Sequence, residues 1–205
     1  MPQKADIIIC GAGIAGVSAA YYLAKAGAKN ILLLDERSPL SLTSDRSTEC
    51  YRNWWPDPAI FALMNRSIDL MEELANETRN AFHMNRRGYV YLTGDKSKIP
   101  EMTKRAARIS NLGAGQLRIH RSGITDYQPG VPEGFHGQPE GADLVLDPAL
   151  IRQYFPCTTE DAVAALHVRR AGWLSAQQLG ITLLEGARKL GVTFESARVA
   201  SVEVD

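Results

Sequence analysis

The stretch from Asp6 to Glu36 constrains this chain more than any other part of it. A short β-branched run, Ile7 to Cys10, leads into Gly11-Ala-Gly13-Ile-Ala-Gly16. A segment of small and apolar residues follows, then Gly27, a second apolar run from Ile31 to Leu34, and the acids Asp35 and Glu36. Each part has a use in one unit of strand, turn, helix and strand. The first run suits a buried parallel strand. Gly11 permits a tight turn out of it, Gly13 lets a diphosphate approach the backbone, and Gly16 lets the helix sit close to the sheet. The helix is predicted to start near Ile14, with its unpaired N–H groups and positive dipole end towards the phosphates. Ala15, Ala19 and Ala20 are expected to support close packing, Leu23 to face the core, and Gly27 to stop the helix. Asp35 lies about 20 residues past the glycines, where a carboxylate accepts from ribose hydroxyls, and Glu36 could share or take that role. A lone G-x-G-x-x-G is a weak signal, and a flexible glycine loop can match it. Its placement between a strand and a helix, with an acid ending the next strand, predicts a dinucleotide site.

The turn alone does not separate NAD from FAD. In a plain NAD domain a second βαβ unit starts soon after the acid. Here Arg37 to Arg52 is polar, rich in hydroxyls and loop-like. Thr43, Ser44, Ser47 and Thr48 could bind a diphosphate or the edge of a flavin.

With these features the chain resembles the D-amino-acid oxidase, glycine oxidase and sarcosine oxidase superfamily of FAD enzymes, in its N-terminal portion. The shared elements are the glycine turn, the acid and Arg37 after the second strand, and the Ser/Thr-rich loop. Ile124 to Gly130 is similar to the family's short helix followed by proline. Gly172-Trp-Leu-Ser175, the helix to Leu190, Gly191-Val-Thr-Phe and a strand expected over Arg198 to Val204 are similar to its return to the FAD domain. The resemblance implies an α/β fold: an incomplete Rossmann-like FAD-binding domain with an inserted α+β cap region. It implies FAD domain segments at residues 1–55 and 170–205 and a cap at 56–169. It implies cofactor contacts at Gly11, Gly13, Ile14, Ala15, Gly16, Asp35, Glu36, Arg37, Thr43, Ser44, Ser47 and Thr48, and adenine contact by the backbone of Val199. It also implies Arg52 as a substrate-binding residue, since a guanidinium grips a carboxylate with two prongs. The implied reaction is oxidation of a C–N bond in a small amine or amino acid, with hydride passing to the flavin and no dedicated acid–base residue required. In some relatives a histidine of the hydroxyl-rich loop carries the flavin covalently. Glu49 stands there, so non-covalent FAD is expected. Asp45 replaces a small loop residue and is expected to point away from the diphosphate. A complete domain of this family has further strands and a later glycine motif beyond Asp205. The expected partners are therefore a small amine or amino acid, and a complementary C-terminal half or an electron acceptor. The alternatives are a nicotinamide-binding Rossmann protein and a truncated remnant without catalysis.

Charge and composition narrow the classes. Lys plus Arg equals Asp plus Glu at 23 each, which gives no support to nucleic-acid binding. No apolar run is long enough to span a bilayer, and the first strand begins too early to leave room for a secretory signal. Cys10, Cys50 and Cys157 are scattered, which fits reduced thiols in a cytoplasm. His83, His120, His136 and His167 lack metal-ligand spacing.

Between the two nucleotide segments, Asp57-Pro58 starts a helix well, with Ile60, Met64, Ile68, Met71 and Ala75 at helical spacing and Glu72 and Glu73 on the wet side. Gly88 to Thr93 reads as a strand. Pro100 to Leu112 reads as a helix with Met102, Ala106 and Ile109 on one face. Its Lys104, Arg105 and Arg108 fit a solvated face better than an anion patch. Pro129 to Gly141 reads as a surface loop, and Leu150 to Pro156 echoes Ile124 to Pro129. Ser175-Ala-Gln-Gln178 is a capping box for the last helix. Trp54 and Trp55 suit core packing or a pocket wall, packing being the commoner use. A buried thiol is the commoner reading of Cys50, beside a redox one.

Overall fold

The computed structural model describes residues 4–42, 46–121 and 126–203. The chain divides into two compact units, Met1–Glu49 with Ser175–Asp205, and Cys50–Leu174.

In the first unit β1 (Ile7–Cys10), β2 (Ile31–Asp35) and β9 (Thr193–Ser196) form a parallel sheet in the order β1-β2-β9. Ile9 pairs with Leu33, and Leu33 with Phe194. Two helices pack on each other in this unit, α1 (Ile14–Lys25) and α5 (Ala176–Lys189). The buried stripe of α1 is Val17, Ala20, Tyr21 and Ala24, one face at a spacing of three and four. Leu23 lies off that stripe and is 39% exposed, which corrects its expected place facing the core, and Ala15 and Ala19, expected to support close packing, are exposed as well. On α5 two glycines take up incoming side chains. A β-carbon at Gly186 would lie 2.6 Å from the Tyr21 ring, and one at Gly180 would lie 2.4 Å from Leu40 Cδ1. Ser175 caps α5 through its side chain, which accepts from Gln178 N–H. Gly27, with φ +99°, donates to the Ala24 carbonyl and closes α1.

The strand expected over Arg198 to Val204 lies five residues earlier, at Thr193–Ser196, and residues 197–203 have no regular structure. β9 is held by β2, and β2 ends at Asp35 opposite Ser196. Ala197 N–H still reaches the Asp35 carbonyl at 3.0 Å. Past that bond the ladder has no partner strand among the described residues.

The second unit is built on a four-stranded mixed sheet. Its strands are β4 (Tyr89–Thr93), β5 (Leu117–His120), β6 (Ala142–Val145) and β7 (Ala164–Val168), in the order β4-β7-β6-β5. Alternation along β6 and β7 sends Ala142, Leu144, Ala164, Leu166 and Val168 into one core with Trp54 and with Ala106 and Ile109 of α3 (Ile99–Ile109). Val145 and Ala165 join a second cluster with Ile151 of α4 (Pro148–Tyr154) and Tyr127. Burying one such large apolar side chain contributes about 1.5–3 kcal/mol. A short antiparallel pair, β3 (Cys50–Arg52) with β8 (Ala171–Trp173), also belongs to this unit, so residues 50–55 and 170–174 group with the second unit and not, as expected, with the first. Tyr51 ties the pair inward by donating to the Asn85 carbonyl. In α2 (Pro58–Glu77), Asp57 caps the start by accepting from Ile60 N–H. Ile68, Leu74 and Ala75 are buried, whereas Ile60 is exposed. Glu72 is drawn off the expected wet side to within 3.2 Å of Arg170.

Across three strands of this sheet the register places Arg118, Asp143 and His167 in one row. Asp143 is buried and accepts from Arg118 Nε at 2.7 Å, from His120 and from Arg169. Burial alone would raise its pKa. The hydrogen bonds from Arg118, His120 and Arg169 outweigh that and hold the carboxyl far below the ordinary carboxylate range. His167 Nε2–H donates to the Arg87 carbonyl at 3.0 Å, leaving Nδ1 to accept from the Tyr127 hydroxyl at 2.9 Å. Burial, then the Arg169 charge, pushes the imidazole down to about 4.

Two outcomes follow from these contacts. A β-carbon at Gly16 would lie 1.8 Å from the Gly11 carbonyl oxygen, so Gly16→Ala should lower the unfolding free energy of the first unit by about 1–3 kcal/mol in urea titrations. His167 is neutral in the fold and must charge on unfolding in mild acid. Its contribution is complete above an unfolded value of about 6.5 and is lost as pH falls towards its folded value. Thermal midpoints should therefore fall between those two pH values, and His167→Gln should flatten that part of the profile.

Candidate functional site

At the glycine turn the three glycines meet three different demands. Gly11 sits at φ +105°, a conformation that L side chains rarely adopt. Its N–H donates to the Leu34 carbonyl at 2.7 Å. Gly16 is required by contact with Gly11. Gly13 has an ordinary φ of −74°, and a β-carbon there would meet nothing within 4 Å. The space over Gly13 is thus open in the fold, and neither conformation nor packing excludes a side chain. Gly13 is also the N-cap of α1, with no side-chain cap and no acid in the first turn. A helix start left without a capping carboxylate or hydroxyl, beneath open space, suits an anion. Ile14 begins the helix half-buried, and Ala15 is exposed on its first turn.

Ala12, between the first two glycines, is fully buried. Its N–H donates to Asp35 Oδ2 at 2.8 Å, and its carbonyl accepts from Leu40 N–H at 2.9 Å. Asp35 Oδ1 accepts from Arg37 N–H at 2.9 Å. Those two N–H groups, Ala12 first, hold the Asp35 carboxyl below its usual range. Glu36 is half-exposed and 3.9 Å from Arg198 Nε. Val199, next to Arg198, is 40% exposed.

In the hydroxyl-rich loop, Thr43, Ser44 and Asp45 lie outside the described residues. Ser47 Oγ accepts from Glu49 N–H at 2.9 Å. Thr48 is exposed. Glu49 has a role that sequence reading missed. At φ +58° its Oε1 accepts from Ala176 N–H at 2.9 Å, so it caps the start of α5.

Arg52 belongs to the second unit. Its guanidinium lies between the Trp55 ring at 4.4 Å and the Tyr89 ring at 4.8 Å. Its Nε is buried without a hydrogen-bond partner among the described residues. Tyr91 is raised by burial, against the pull of Arg52, which hydrogen-bonds it. Tyr91 also lines a cavity of about 260 Å³ with Trp54, Met102 and Arg105. Trp54 therefore serves both the core and a pocket wall, and Trp55 stacks on Arg52. Cys50 is exposed, which corrects its reading as a buried thiol, as are Cys10 and Cys157. A β-strand edge, where side chains alternate outwards, accounts for Cys50. Two of the scattered histidines, His120 and His167, turn out to be buried in the polar network around Asp143 and Tyr127. Its one sequence signal was an acid inside the apolar run Ala142 to Leu146.

Parallel sheet, open glycine turn and carboxylate-ended second strand define a dinucleotide-binding α/β protein of the Rossmann type. The chain belongs to the FAD dependent oxidoreductase (DAO) family, whose model matches residues 6–205. Dimethylglycine dehydrogenase, mitochondrial, of Rattus norvegicus is 24% identical over 191 residues, covering 93% of this chain and 19% of the relative. Sarcosine oxidase subunit beta of Rhizobium meliloti (strain 1021) is 24% identical over 199 residues, covering 97% and 45%. Among solved structures, L-proline dehydrogenase from P. horikoshii matches with a TM-score of 0.79 at 19% identity, over 100% of this chain and 47% of that one. Glycine oxidase from Bacillus cereus ATCC 14579 matches with a TM-score of 0.75 at 17% identity, over 98% and 50%. The chain thus spans half or less of the length of these proteins. FAD is the family's cofactor, and the open, uncapped turn at Gly13 fits its diphosphate.

Removing the Arg52 charge should cost the second unit about 1–2 kcal/mol through its two ring contacts. Chemical unfolding of Arg52→Met against wild type measures this, and an unchanged midpoint would refute the stacking role.

Proposed function

We propose that this chain is the adenine- and diphosphate-gripping part of an FAD-dependent oxidoreductase that oxidises a C–N bond of a small amine or amino acid. The observation that carries the reading is the open space over Gly13 at the uncapped start of α1, in a chain of the DAO family. Gly11, Gly13, Ile14, Ala15 and Gly16 would receive the diphosphate, Asp35, Glu36 and Arg37 would lie towards the ribose, and Val199 towards the adenine. Thr43, Ser44, Ser47 and Thr48 would complete the cofactor loop. FAD supplies the hydride acceptor for the reaction. Glu49 stands where some relatives have a flavin-linked histidine, and its carboxylate is engaged at the start of α5, which supports non-covalent binding. Arg52 is the candidate for a substrate carboxylate, because its stacked plane still has an unpaired Nε. The exposed, free thiols are consistent with a reducing compartment such as the cytoplasm.

The flavin and substrate end would come from polypeptide equivalent to the other half of the relatives. Two features of β1 support this. Among the described residues it is paired on one edge only. Ile8, on the side of the strand away from Gly16, is 55% exposed, although parallel sheets normally have both faces covered. Family membership argues against nicotinamide as the ligand. The remnant reading keeps one support: a relative 27% identical over 207 residues is named pyruvate dehydrogenase phosphatase regulatory subunit, mitochondrial, of Mus musculus.

Absorption spectroscopy of the purified protein, with and without added FAD, tests the proposal. Flavin bands that stay with the protein on gel filtration and pass to the supernatant on acid precipitation are expected. Gly13→Val should fold as the wild type does and lose FAD, since its side chain enters empty space where the diphosphate belongs. A wild type that takes up no FAD, or a Gly13→Val variant with unchanged affinity, would sink the placement.

A further inference from the structure

The aromatic surface that holds Arg52 continues into a hollow. Tyr89 and Tyr91 lie two residues apart on β4, so they share one face of the sheet, with ring centroids 5.0 Å apart. Arg52 stacks on the first ring at 4.8 Å and hydrogen-bonds the second residue. Tyr91 is at the same time a wall of the cavity of about 260 Å³ between this face and α3. Trp54, Ala106 and Leu166 form its buried floor, with Leu166 paired directly across from Tyr91. Met102 is half-buried on the helix side. Lys98, Glu101 and Arg105 stand exposed around it, at the spacing of three and four that puts residues on one helix face.

Protein interiors are close-packed and hold few voids of this size. A hollow with an apolar floor, a charged rim and a guanidinium next to its wall suits a ligand with two ends. The lining says which end enters. Ala106, Leu166 and Met102 carry no hydroxyl, amide or charge, and Tyr91 is already engaged by Arg52. A polar group placed there would lose its water without compensation. Pockets for whole ligands measure about 300–1,000 Å³, so this one takes a fragment, one ring or a branched chain. An unbranched, polarizable Met102 lets the wall adapt to it.

Resting on the reading of Arg52 as the grip for a substrate carboxylate, we infer that this cavity is a specificity pocket, and that the substrate is an amine that carries both a carboxylate and an apolar ring or branched chain. Arg52 takes the carboxylate on one side of Tyr91. Trp54, Met102 and Leu166 take the apolar group on the other. Met102 is a specificity-determining residue, because its side chain sets the free width between α3 and the sheet.

A series of simple acids tests this without turnover: acetate, butyrate, hexanoate and phenylacetate, titrated into the protein with its methionine methyls labelled for NMR. The Met102 methyl, assigned through Met102→Leu, should shift on addition of the longer acids. Affinity should rise about threefold to fourfold for each added methylene, the value of burying one such group. Arg52→Met should weaken every acid and keep the increments. Met102→Trp, which fills the cavity, should remove the increments, and Met102→Ala, which widens it, should favour the longest acids. Affinities that do not rise with chain length, a Met102 methyl that stays in place, increments that survive Met102→Trp, or acids that bind Arg52→Met as tightly as the wild type would overturn the inference. A protein that binds no FAD would overturn the functional proposal, while the acid series, which needs no FAD, still decides the pocket.

Discussion

The carbonyl oxygen of Gly11 occupies the place where any other residue at position 16 would carry its β-carbon, 1.8 Å away. Much of the first unit depends on that contact. It brings the start of α1 down onto the end of β1, and so sets where the helix dipole points. Further along the same helix, Tyr21 rests on Gly186 of α5. The same closeness carries the Ala12 peptide under the end of β2, where Asp35 and Leu40 hold it. An anion site made of backbone N–H groups is only as accurate as the backbone that presents them. Here the accuracy comes from one close contact and two hydrogen bonds.

The second unit solves a different problem, that of charge inside an apolar sheet. One carboxylate, Asp143, collects Arg118, His120 and Arg169. A buried group of this kind adds little net stability over apolar packing, but losing one member leaves the others uncompensated. Its effect here is geometric. Arg118 lies opposite Asp143 on one neighbouring strand and His167 lies opposite on the other. A slip of one residue in register would turn this row to the other face, among Leu144, Leu166 and Val168. The charges therefore specify the pairing of β5, β6 and β7.

Arg52 shows how a residue named for one role can serve another. The family resemblance pointed to a carboxylate grip. In the fold its plane is held between two rings, with one N–H left over. Stacking orients a guanidinium without consuming its in-plane donors, so the packing of this side chain and a binding role are compatible.

Local chemistry was legible in the sequence wherever it acts within a few residues. The glycine turn, the Asp57 and Ser175 caps, the stop at Gly27, and the strand at Tyr89 could all be read because the residues that form them also decide them. The same holds for the dinucleotide class of the turn, which needs only G-x-G-x-x-G between a strand and a helix. What the sequence left undecided depends on pairs far apart in the chain. Leu23 is exposed because α5, about 160 residues later, packs on a different stripe of α1. The last strand stops at Ser196 because β2 stops at Asp35. Cys50 to Arg52 groups with the second unit because Ala171 to Trp173 pairs with it. That Asp35 and not Glu36 holds the Ala12 N–H could not be read from two adjacent acids, since it is set by which of them reaches Ala12. By itself the sequence determined that this chain builds a turn for a dinucleotide diphosphate. Only the tertiary structure decided which side chains hold that turn and which remain open to a ligand, because burial and hydrogen-bond partners are assigned when distant segments meet.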